Sequence, residues 1–271
     1  MANEDVVICA VARTPVGRYR GALKHYSAVD LGILSVKELL KRSGIDPASG
    51  IIDEVLFGQV LQGGSGQAPA RQVALGAGLP VSIPATTINK VCGSGLKTVM
   101  MAANSIRAGE YEVIICGGME SMTNSPHLIW SPRRGEDVAY SDLKHSMVHD
   151  GLWDVYNDVH MGNTGETVAI DYDIGRTTSD LFSARSHALA NEAWEKGWLE
   201  WESFPVEGTD RDGNQLTLNP ADNQSGLSQV YVFVKAYTVA MRCEVYIGSL
   251  SFNFDPRLPF RQFQIDLDNH H

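Results

Sequence analysis

Two hydrophobic periods alternate along the first 120 residues. Residues 5–10 (DVVICA) form a short continuous apolar run and predict a buried strand. The turn-rich segment RTPVGRYRG follows at 13–21. Ser27 and Asp30 then have the spacing of a capping box, in which each end satisfies an orphan N–H of the first turn. The helix they open places Leu31, Ile33, Leu34, Val36, Leu39 and Leu40 at helical spacing, and Gly44 stands where a left-handed C-terminal residue would close it. Strands are predicted at 51–60, 83–88 and 113–116, the last closed by Gly117-Gly118. Helices are predicted at 71–78 and 92–108, the second with Leu96, Val99, Met100, Ala103 and Ile106 on one face. Strands that alternate with helices in this way predict an α/β layer around a mostly parallel sheet.

The pattern changes after about residue 120. Residues 124–163 are polar and turn-rich and carry His127, Trp130, His145, His149, Trp153 and His160. Residues 178–197 predict an amphipathic helix ended by Gly197. From about 228 the chain turns β-branched and aromatic, which reads as strand material. No internal repeat is visible.

Composition narrows the class. Of the 271 residues, 44% are hydrophobic and 20% charged, the balance of a globular chain with a sizeable core. The net charge of −10 opposes non-specific attraction to nucleic acid or an anionic membrane. No apolar run approaches the ~20 residues of a membrane span, and MANEDVV lacks the basic start and apolar core of a signal peptide. The expected location is the cytoplasm, or the mitochondrion if a transit peptide has been removed. Cys9, Cys92, Cys116 and Cys243 are too widely spaced for a zinc or CxxC redox site. Cys9 and Cys116 end apolar runs and read as small core residues. His25, His127, His145, His149 and His187 read as surface or loop residues.

One local feature bears on chemistry. Asn89-Lys90-Val91-Cys92-Gly93-Ser94-Gly95 puts a cysteine at a strand-to-helix junction beside glycines that permit a tight turn. A helix N-terminus favours an anion, so a thiolate there is a good nucleophile. A backbone N–H of the same turn can hold the oxyanion of an attacked carbonyl. The arrangement suits acyl transfer through a thioester. It equally suits a buried structural cysteine, and the turn alone does not separate the two.

Longer motifs add to this. INKVCGSGLKTVMMAANSIRAGE and CGGMESMTNSP closely resemble the nucleophile region of thiolases, as do ARTPVGRYRGAL and GQVLQGGSGQAPARQVALGAGLP, in the same order and spacing. The resemblance runs from about Val6 to about Gly213. It implies a thiolase-like N-terminal α/β domain over residues 1–121, a coenzyme-covering loop domain over 122–227, and an atypical tail over 228–271. It also implies that Cys92 takes the acyl group in ping-pong transfer between acetyl-CoA or a 3-ketoacyl-CoA and CoA. Residues 143–167 contain LKHSMVHDGLWDVYNDVHMGNTGE, which resembles the segment that receives coenzyme A. On that match Leu152, His160 and Met161 line the pantetheine and acyl tunnel, and the short-chain biosynthetic type is favoured. The related ketoacyl synthases also use a nucleophilic cysteine, but GGMESM and residues 143–167 point to thiolases. The family's substrates are coenzyme A and acyl-CoA, with no permanently bound cofactor and no metal, and its members are oligomers.

The match weakens after about residue 213. Thiolases are built from two similar α/β halves, and the second supplies histidine, asparagine and a further cysteine. Its N-E-A-F, G-H-P-x-G and C-x-G motifs are not found here. Asn191-Glu192-Ala193-Trp194 lies inside the predicted helix, and Cys243 lacks a glycine-rich turn. Asn223-Gln224-Ser225-Gly226-Leu227 partly resembles the turn that opens the second half, which makes Ser225 a candidate pantetheine contact. A separate second-half chain, or a remnant that binds coenzyme A or a partner without turnover, are the alternatives to an active acyltransferase. Half a thiolase is further expected to expose an apolar face that its partner half would cover.

Overall fold

The computed structural model describes residues 6–130, 139 and 142–219, and the backbone of 237–241. Its centre is a five-stranded sheet. The strands are β1 (Ala10–Arg13), β2 (Glu54–Gly58), β3 (Ala85–Ile88), β4 (Ile114–Gly118) and a last one, β11 (Tyr237–Met241). Their spatial order is β1-β11-β4-β2-β3. Strands β4, β2 and β3 run parallel, and β11 runs antiparallel to both its neighbours. The predicted mostly parallel sheet is therefore present, and the β-branched tail contributes β11 to it. Strand β1 begins at Ala10 rather than near residue 5, because its pairing with β11 covers Ala10–Arg13. Cys9 consequently falls before the strand and is half-buried, where a core position was expected, whereas Cys116 is buried in β4.

Three helices cover the sheet. Helix α1 (Ala28–Ser43) opens with the predicted capping box: Ser27 Oγ accepts the Asp30 N–H at 3.1 Å and the Asp30 carboxylate accepts the Ser27 N–H at 2.9 Å. It closes on Gly44 at φ +69°. Helix α2 (Pro69–Gly76) starts two residues earlier than predicted, with Pro69 in the first turn, where its missing N–H costs nothing. Helix α3 (Ser94–Ala108) follows the Cys92 turn. Period-two alternation along the strands divides the core. Val55, Phe57 and Ile115 join α1 and α2 residues in one cluster, while Leu56, Ile114 and Cys116 pack with Val99, Ala102, Ala103 and Ile106 of α3 in the other.

The predicted apolar face of α3 is buried only in part. Ser94, Thr98 and Ala102 are the buried residues, while Leu96 is 67% and Met100 53% exposed. Only small residues are fully buried; Val99 and Ile106 pack half-buried against the sheet, and Leu96 and Met100 stand away from it.

The remaining elements are smaller. Strand β5 (His127–Leu128) pairs antiparallel with β6 (Lys144–His145), and β7 (Trp153–Asp154) forms a hairpin with β8 (Val159–His160). Helices α4 (Met161–Asp171) and α5 (Arg176–Glu195) follow. Helix α5 matches the predicted helix, with Gly197 at φ +69° just beyond it. It buries no residue, however, and Leu181 and Phe182 are 67% and 68% exposed. Strands β9 (Val206–Thr209) and β10 (Gln215–Leu218) pair antiparallel, and Phe204, Val206 and Leu218 return to the main core. Arg13 anchors this return through an ion pair with Glu202. Among the described residues no helix is long and apolar enough to cross a membrane, and no cluster of His, Cys, Asp and Glu suits a metal ion. Cys243 and the 223–227 segment lie outside the described residues.

Candidate active site

The Cys92 turn is built on close backbone approach. A Cβ placed on Gly58, the last residue of β2, would lie 2.5 Å from the Ser94 carbonyl carbon and 2.7 Å from the Gly95 nitrogen. A Cβ on Gly118, the last residue of β4, would lie 3.1 Å from Gly95 Cα. The first turn of α3 thus rests directly on the ends of two strands, and only glycine leaves room for it.

The turn is then tied by side chains. Ser94 Oγ accepts the Lys90 N–H at 2.8 Å and donates to the Val91 carbonyl at 2.6 Å. Asn89 Oδ1 accepts the Val91 N–H at 2.9 Å, and Asn89 Nδ2 donates to the Val60 carbonyl at 3.3 Å. These bonds hold Val91 at φ +46°. A β-branched residue in the left-handed region is a true outlier, of the kind that persists where surroundings over-determine the backbone. Cys92 comes next, exposed and with a free thiol, just ahead of α3. The sequence left the turn open to a buried structural cysteine, and its exposure decides against that. Cys116 makes the contrast: burial pushes its thiol up to about 12, so it has no reactive form at neutral pH.

The site also contains an acid that sequence reasoning passed over. Glu120 accepts the Val60 N–H at 2.8 Å and the Leu61 N–H at 3.2 Å. Burial raises its carboxyl to about 7, against the smaller lowering effect of those two N–H groups. The available signal was a lone carboxylate directly after the buried apolar-glycine run of β4. A pH effect follows. A folded pKa above the unfolded value means a stabilising contribution that is complete below about 4.5 and is lost as pH rises through about 7. Relative to Glu120→Gln, which does not titrate, the native chain should therefore lose on the order of 3 kcal/mol of unfolding free energy between mildly acid and mildly alkaline pH. Urea unfolding of both chains at the two extremes measures this; a constant difference between them would be the contrary result.

The coenzyme candidates belong to one small hairpin or directly flank it. Leu152 ends the turn Met147–Leu152, Trp153 pairs with His160 across β7 and β8, and Met161 begins α4. His160 Nδ1 accepts the Gly162 N–H at 3.0 Å and so caps α4. Gly151 lies against Leu61 and Val60, since a Cβ there would meet Leu61 Cδ2 at 3.4 Å and Val60 Cγ1 at 3.9 Å. The turn that leads into the hairpin thereby adjoins the same Val60–Leu61 segment that holds Asn89. Ser225 lies outside the described residues.

Comparison with known proteins is decisive for the family. The family described as "Thiolase, N-terminal domain" matches residues 6–229. The chain belongs to the thiolase family. It is 44% identical over 244 residues to an acetyl-CoA acetyltransferase of Cupriavidus necator, covering 87% of this chain and 61% of that protein. It is 50% identical over 219 residues to an acetyl-CoA acetyltransferase of Yarrowia lipolytica, covering 81% and 54%. A probable acetyl-CoA acetyltransferase of Escherichia coli is 46% identical over 216 residues, covering 80% and 54%. The chain thus spans between about half and three-fifths of the length of these relatives.

Proposed function

We propose that this thiolase chain carries the acyl-accepting step of acetyl transfer, with Cys92 as nucleophile. The observation that carries the reading is the exposed thiol of Cys92 at the head of α3, on a backbone turn held in the left-handed region. The Cys92 sulfur attacks the thioester carbonyl of an acyl-CoA. A new sulfur–carbon bond forms on Cys92, the bond to the coenzyme sulfur breaks, and the thiol proton passes to the departing coenzyme A thiolate. The acyl group then passes to a second acceptor, either the coenzyme A sulfur or the α-carbon of another acetyl-CoA; the bond to the Cys92 sulfur breaks, and the proton lost by the acceptor restores the Cys92 thiol.

Acetyl-CoA is the proposed substrate, supported by the similarity to acetyl-CoA acetyltransferases. Leu152, His160 and Met161 are the proposed coenzyme contacts, supported by their place in or directly beside one hairpin whose leading turn adjoins Leu61, and Ser225 is a further proposed pantetheine contact. Coenzyme A enters as a substrate and not as a resident cofactor. A separate chain that carries the second thiolase half is the proposed partner for the groups that complete turnover. A coenzyme-binding chain without turnover is the second reading. The feature behind it is that the N-E-A-F, G-H-P-x-G and C-x-G motifs are not found after residue 227 of this sequence.

Incubation of the purified chain with acetyl-CoA, followed by intact and peptide mass measurement, separates the two. One acetyl group on the Cys92 peptide, removed again by added coenzyme A, is the expected result. A folded chain that binds coenzyme A and takes up no acetyl group would leave the second reading.

A further inference from the structure

Glu120 has no role in the acyl transfer written above, and its surroundings do not reward a charge. It is largely buried, and the groups that hold it are backbone N–H groups. What it holds connects directly to the Cys92 turn. The peptide unit between Val60 and Leu61 is planar and trans, so its N–H and C=O point in opposite directions. The Leu61 N–H of that unit goes to Glu120 Oε1, and the Val60 C=O of the same unit goes to Asn89 Nδ2. One rigid plane therefore separates the carboxylate from the Asn89 amide. The second carboxylate oxygen takes the preceding N–H, that of Val60, which fixes the rotation of the plane.

The Asn89 amide is itself planar and passes the constraint on. Its Oδ1 takes the Val91 N–H and keeps Val91 at φ +46°, one residue before Cys92. Hydrogen bonds in such a chain polarise one another, and the two carboxyl oxygens of Glu120 anchor its far end. A valine released from Asn89 would fall back toward negative φ, and Cys92 would move off the head of α3.

We infer that Glu120 is a positioning residue for the Cys92 turn, acting through the Val60–Leu61 peptide and Asn89. The inference rests on the reading of Cys92 as the nucleophile, so its test uses a reaction that needs no acyl-CoA. The full chain and its Glu120→Ala, Asn89→Ala, double and Glu120→Gln variants are alkylated with iodoacetamide at fixed pH. Rates are read on the Cys92 and Cys116 peptides, with far-ultraviolet circular dichroism as the folding check. Each alanine variant should slow Cys92 by about threefold or more, the size of a helix-end interaction with an anion. The double variant should be no slower than the slower single one, because both break one chain of contacts. Glu120→Gln, which keeps one acceptor oxygen, should recover part of the rate. Cys116 should stay unlabelled throughout, whereas a merely structural role for Glu120 would loosen the core and expose it. A wild-type Cys92 rate in folded Glu120→Ala, slowing that multiplies in the double variant, or Cys116 labelling that rises as Cys92 slows would each overturn the inference. If Glu120→Ala does not fold, Glu120→Gln with and without Asn89→Ala gives the same comparison. Absent acetyl uptake with this alkylation pattern intact would count against the proposed function alone.

Discussion

Cys92→Ser should fold and melt like the native chain yet take up acetyl groups from acetyl-CoA slower by on the order of 10³-fold or more. The first half of that expectation comes from exposure: Cys92 lies outside both core clusters, so swapping sulfur for oxygen removes no packing. The second half comes from chemistry. A thiol supplies some thiolate at neutral pH and is intrinsically nucleophilic, while a serine hydroxyl needs a positioned base to lose its proton. None of the contacts that build the turn provides one: Asn89, Lys90, Val91 and Ser94 close it with amide, hydroxyl and backbone groups. Peptide mass after incubation with labelled acetyl-CoA reads the effect. Uptake by the serine chain at the native rate would move the acyl acceptor to another residue.

Gly58→Ala should be the most damaging single methyl group in the fold. The added Cβ would meet the Ser94 carbonyl carbon at 2.5 Å and the Gly95 nitrogen at 2.7 Å, and both are backbone atoms that cannot rotate away. Helix α3 would have to rise from the sheet, which also breaks the Ser94 ties to Lys90 and Val91. The expected cost is about 3 kcal/mol, at the upper end of overpacking. Acetyl uptake at Cys92 should fall with it. Gly118→Ala is the graded control, since its nearest contact is 3.1 Å and a shift of a few tenths of an ångström would relieve it, at a cost of about 1 kcal/mol. Urea unfolding of the two variants measures the contrast. A Gly58→Ala chain as stable as the Gly118→Ala chain would mean that the helix is not seated as described.

Exposure of large apolar side chains separates what was legible from what was not. The amphipathic pattern of α5 and the spacing of Leu96 and Met100 on α3 were both visible as sequence, each as a helix with one apolar face. Periodicity says which residues share a face, but it does not say whether an element of the same chain covers that face. Here the described residues leave Leu96, Met100, Leu181 and Phe182 outside. An exposed apolar face was the expectation for half a thiolase, and these four side chains are among the described residues that stand exposed.

By itself the sequence determined the family, the α/β alternation, the capped helix at Ser27 and the place of Cys92 ahead of a helix. These are properties of local spacing and residue type, and they need no knowledge of distant contacts. Tertiary structure alone decided that the tail strand inserts between β1 and β4, that Gly58 and Gly118 seat the first turn of α3, and that one peptide plane joins Glu120 to Asn89. Each of these brings together residues far apart in the chain, where strand register and backbone clearance set the outcome, and neither is written in the periodicity of any one segment.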